Sequence, residues 1–164
     1  MDFALSLRAI LTRDLQSFRR ELELFPDPSR LGAVLPGVSN SAANLALHVA
    51  GNLQHFLGAV LGGSGYVRDR DAEFARRDPS LEELLAELAR AEEAVATVLP
   101  RLDAAALAAP YPAAPGGIQV STGACLVQLA AHLAFHLGQA GYLRRALTGD
   151  PRSSGAMGWK ELAG

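Results

Sequence analysis

The chain holds a single cysteine, Cys125, among its 164 residues, so no disulfide can close within it, which fits a reducing compartment. It also lacks an uncharged apolar run of the ~18 or more residues that a membrane span needs. The opening stretch "MDFALSLRAILTRDLQSFRR" carries Asp2, Arg8, Arg13 and Asp14 where a secretory signal would be apolar. A cytoplasmic protein without a membrane partner is the expectation. No basic excess exists either: 15 Lys and Arg stand against 17 Asp and Glu, a formal net charge of −2. Phosphate recognition needs a concentrated positive field, so nucleic acid is not the expected partner. Sustained strand alternation is missing; "GGIQVST" at 116–122 is the one short β-like run. No repeat recurs at a solenoid period.

What remains is rich in alanine and leucine, both strong helix formers. Four segments carry helical periodicity. The first, about residues 3–25, repeats Leu7, Leu11, Leu15, Phe18, Leu22 and Phe25 before Pro26 and Pro28 stop it. The second, about 40–61, follows the capping residues "SNS", carries Leu45, Val49, Leu53, Phe56 and Val60, and ends at "GGSG". The third, about 80–102, opens with the capping box Ser80–Glu83 and carries Leu81, Leu85, Leu88, Val95, Leu99 and Leu102. The fourth, about 121–147, is capped by Ser121 or Thr122 and stopped by Gly149 and Pro151; Leu126, Leu129, Leu133, Leu137, Ala140 and Leu147 line it. The expectation is an all-α four-helix bundle, a single domain over residues 1–149, with a long connection between helices two and three. The C-terminal tail, 150–164, is Gly/Ser-rich, with Trp159 expected to dock it on the body.

The chemistry lies in the histidines. His132 and His136 are four residues apart, so their rings fall within about 40° of each other on one helix face, beside the apolar stripe. Gln139 and Cys125 fall on the same side. Helix two repeats the pattern, with His48, Asn52 and His55 on one face. When the two helices pack, these faces can converge. An i, i+4 imidazole pair can reach one divalent metal, and a third imidazole from the facing helix leaves positions open for water or substrate. Asn52 and Gln139 are candidates to orient the rings. Two rival sites are excluded. "HLAFH" has Leu133 where a zincin needs Glu, and no Glu stands three residues before any histidine, as di-iron bundles require. A nitrogen-rich site of this kind suits Zn, Ni, Fe or Cu. Arg68 and Arg70, in "YVRDRDAEF" at 66–74, are candidates to clamp a substrate carboxylate. The competing reading, which we favour, is an ion-pair cluster running from Arg68 to Glu73.

Two stretches carry a family resemblance: "NLALHVAGNLQHFLGAVLGGSGYVRDRDAEF" at 44–74 and "LAAHLAFHLGQAGYLRRALTG" at 129–149. Together they resemble the DinB-like superfamily, the damage-inducible proteins that include YfiT-type metal-dependent hydrolases. The resemblance implies a four-helix bundle in up-down-down-up order, often a homodimer. It implies a divalent metal, Zn or Ni, on His48, His132 and His136. It further implies an enzyme that activates a low-molecular-weight thiol, as in mycothiol-dependent isomerases and bacillithiol-type S-transferases, or that activates water. The alternative is a non-catalytic, metal-stapled dimeric protein of stress response, in which His55 or Cys125 would close the site with a fourth ligand.

Overall fold

The computed structural model describes residues 3–159. Their architecture is all-helical, with no strand among the described residues beyond an isolated bridge between Pro110 and Ser121. Six α-helices follow one another: α1 Phe3–Glu23, α2 Ala42–Leu53, α3 Arg70–Ala75, α4 Leu81–Val98, α5 Ala104–Ala108 and α6 Thr122–Thr148. The four long ones form the expected bundle. α1 and α2 each pack on both α4 and α6, so α1 and α2 face each other across a diagonal.

Local sequence chemistry sets the helix ends. Ser41 and Asn44 form a reciprocal capping box at the start of α2. Ser80 and Glu83 do the same for α4, and Ser121 caps α6. Gly149 ends α6 in the left-handed region, at φ 71°, which glycine adopts without a Cβ penalty.

α2 departs from the amphipathic pattern read in the sequence. All twelve of its residues are buried. A helix buried all round is the central element of a core, and its polar residues must find partners inside. The chain does not end α2 at Leu53. It continues as a π-helix over Gln54–Leu61, with Gly62 N–H reaching back to the Leu57 carbonyl at 2.9 Å. Within that segment the Phe56 carbonyl accepts from the Tyr111 hydroxyl at 2.7 Å. In α4 the buried stripe runs through Leu84, Leu88, Ala91, Val95 and Val98, while Leu81 and Leu85 are only partly covered.

The tail is fastened, but not by Trp159, which is 83% exposed. The expected anchor is replaced by backbone capture. Arg144, fully buried, pairs with Glu21 at 2.5 Å and donates to the carbonyls of Asp150 and Arg152. Arg20 donates to the Ser154 carbonyl at 2.6 Å. Residues 160–164 lie outside the described residues.

Candidate metal centre

α2 and α6 bring three imidazoles together. The ligand-capable nitrogens of His48, His132 and His136 lie within 4.8 Å of one another. His132 Nε2 sits 3.1 Å from His48 Nε2 and 3.1 Å from His136 Nε2. The spacing on α6 makes the pair, and the burial of α2 delivers the third ring.

The outer nitrogens decide what this cluster can do. His48 Nδ1 lies 2.8 Å from Glu73 Oε2, so it carries the proton and donates to the carboxylate. His136 Nδ1 lies 2.7 Å from Gln139 Oε1 and donates likewise. Both rings therefore turn an unprotonated Nε2 lone pair toward His132. One proton on His132 Nε2 can satisfy only one of these acceptors. A cation among three lone pairs satisfies all of them, so the donor set fits a divalent metal of the imidazole-preferring kind.

Electrostatics favour the same state. Burial, followed by the neighbouring His136, His48 and Arg68, lowers the His132 pKa to about 4. His136 is also lowered, chiefly by burial and against the opposing bond to Gln139. Neutral imidazoles are the metal-binding form. Burial would raise the Glu73 carboxyl, but the bonds from Arg68 and His48 hold it below its ordinary value. Arg68 grips Glu73 with Nε to Oε1 at 2.6 Å and Nη2 to Oε2 at 2.8 Å. Arg68 Nη2 also lies 3.2 Å from His48 Nδ1, a contact between two donors, with the His48 proton committed to Glu73.

Glu73 was not among the sequence candidates for the site, and it is the principal addition. It reaches His48 because α3 packs against α2. Asn44 holds α3 there, its Nδ2 donating to the carbonyls of Glu73 and Arg76 at 3.0 and 3.1 Å. Gly51 makes room: a Cβ there would stand 2.2 Å from Glu73 Oε1. The one sequence signal was the charge cluster of 68–73 directly after helix two.

The other candidates separate. Gln139 touches the triad through His136. Asn52 is buried, with no hydrogen-bond partner on Oδ1. Asn52 and Cys125 line a cleft that reaches His132. His55 stands apart in the π-helix, its Nδ1 buried and unpartnered and its pKa lowered by burial and by Arg68. Neither His55 nor Cys125 joins the metal-capable group found among the described residues. Arg68 is engaged by Glu73, which agrees with the ion-pair reading. Arg70 is exposed and lies over the Phe74 ring at 5.1 Å, one ring removed from His48.

No curated protein sequence matches the chain. A family model, that of the DinB superfamily, matches residues 10–140. With most of its length matched, and with a helical bundle carrying a three-histidine cluster, the chain belongs to the DinB superfamily.

Proposed function

We propose that the protein is a divalent-metal enzyme in which His48, His132 and His136 hold Zn or Ni, and in which a low-molecular-weight thiol, or water, is activated against a small electrophile. The observation that supports this reading most is the direction of the lone pairs. Glu73 and Gln139 take the outer protons of two rings, and both inner nitrogens are free for a cation. When bound, that cation supplies Lewis acidity, which lowers the pKa of a coordinated thiol or water into the physiological range. The chain's own residues position. Glu73 fixes the His48 ring, Gln139 fixes His136, and Arg68 keeps Glu73 ionised. Glu73 is committed to His48 and Arg68, so it is no general base. In the thiol reaction, a C–S bond forms as the bond from that carbon to its leaving group breaks. The thiol proton leaves with the departing group, and no protein carboxylate is required.

Three protein donors are one short of a closed structural zinc site, which favours catalysis over a purely structural staple. A second copy as partner is supported by α6, where Val127, Phe135 and Tyr142 are large, apolar and exposed on one face. Sedimentation at micromolar concentration is expected to give a dimer, and Phe135→Glu a monomer. Elemental analysis of the purified protein tests the metal. One divalent ion per chain is expected, lost in His132→Ala together with any turnover found in screens of small thiols. A metal-free protein that keeps its activity in His132→Ala contradicts the reading.

A further inference from the structure

Beside the triad lies a cleft of about 380 Å³. That volume is at the small end of the roughly 300–1,000 Å³ typical of small-molecule sites. Its walls come from three places in the chain: the junction of α2 with the π-helix, the loop before α6, and the first turns of α6. Phe56, Val120, Ala124 and Leu129 make the lining apolar, and His132 closes the end that meets the triad. No residue of the lining bears a formal charge. Arg68, the cation that would recognise a carboxylate, is held by Glu73.

One group in this wall lacks a partner. Asn52 is only 9% exposed, and its Oδ1 is buried without a hydrogen bond. Leaving such an atom unsatisfied is costly, and a ligand donor removes that cost. Cys125, on the same wall, has its thiol pKa raised by burial, so it remains an uncharged surface rather than a nucleophile.

We propose that this cleft is the substrate pocket of the three-imidazole site. It takes an uncharged small molecule with an aromatic or branched aliphatic body, and Asn52 recognises an N–H or O–H group on it. The inference rests on the metal-enzyme reading above and narrows its substrate class to neutral compounds, away from carboxylates.

The test uses the full chain loaded with zinc, followed by amide NMR while benzamide or acetamide is titrated in. Both probes carry the same donor, and only benzamide has an apolar body. Benzamide is expected to shift the signals of Asn52, Ile118 and Gln128 and to bind at least about tenfold more tightly than acetamide, through the apolar area it buries. Ala124→Trp fills the cleft from an exposed position. It is expected to weaken benzamide at least about tenfold while zinc stoichiometry stays at one, and Asn52→Leu is expected to weaken it also. Equal binding of the two amides overturns the proposal. So do shifts confined to other surfaces, or indifference to Ala124→Trp. Zinc bound without any benzamide response contradicts the pocket alone. Benzamide bound at these residues in a chain that takes up no zinc contradicts the metal reading, and with it the pocket's assignment to that site.

Discussion

Glu73 and Gly51 act as a pair at the residue scale. The carboxylate lies over the bare α-carbon of Gly51 and holds the His48 ring by its Nδ1 proton. Glu73→Gln keeps the shape and removes the charge. Zinc affinity, measured by competition with a chromogenic chelator, is expected to fall about 10- to 100-fold, the usual cost of losing such an outer partner. Gly51→Ala is the sharper case. By helix propensity alone it should stabilise α2 by about 1 kcal/mol. The Cβ would collide with Glu73, so zinc affinity is expected to fall while propensity predicts no loss. The triad itself was legible, because four-residue spacing on α6 and a matching face on α2 are properties of the chain's order. Glu73 was not legible as a partner of His48. Its closeness depends on a turn of α3 onto α2 that no periodicity encodes.

The residue scale also sets the pH response of the metal-free protein. His132 titrates near 4 in the fold against 6.5 as a free group. Between those values the unfolded chain binds more protons, so stability falls as pH falls through that window. Glu73, lowered from 4.5, acts in the same direction below that pH. The melting temperature of the metal-free protein is expected to decline from pH 7 to pH 4, and the decline above pH 5 to shrink in His132→Gln. A flat profile contradicts the burial of a neutral His132.

Among elements, α3 is the one that brings the carboxylate, and Asn44 is its tether. One side chain serves two purposes: its Oδ1 accepts from Ser41 in the α2 capping box, and its Nδ2 secures the end of α3. Asn44→Ala is expected to cost about 1–3 kcal/mol in chemical denaturation, because buried carbonyls lose their donor. It should also weaken zinc, because Glu73 is released. Ser80→Ala is expected to cost only about 1 kcal/mol and to leave zinc binding unchanged. The four long helices were readable because their stripes, Ser caps and Gly149 are local signals. α3 and α5 span only a turn or two each, too short to show a period. The π-helix after α2 had no signature, since its widened turns depend on tertiary bonds such as Tyr111 to Phe56.

At the scale of the molecule, the bundle is closed by its own tail. Arg144 is fully buried between Glu21 and the carbonyls of Asp150 and Arg152, a position that the periodicity of the last helix does not announce. Arg144→Ala leaves a buried carboxylate unpaired and frees the tail. The expected cost is about 3–5 kcal/mol in thermal or urea unfolding, with the triad unaffected at low temperature. Trp159 was a reasonable anchor by composition, but the tail is held through backbone carbonyls, which sequence does not display.

The most direct measurement is anomalous diffraction from crystals of the native protein, recorded across the absorption edge of the metal found by elemental analysis. A single peak bonded to the Nε2 atoms of His48, His132 and His136 is expected, with Glu73 on the far side of the His48 ring. A peak at any other group of residues, a peak reached through Nδ1, or no metal in the protein as isolated would contradict it.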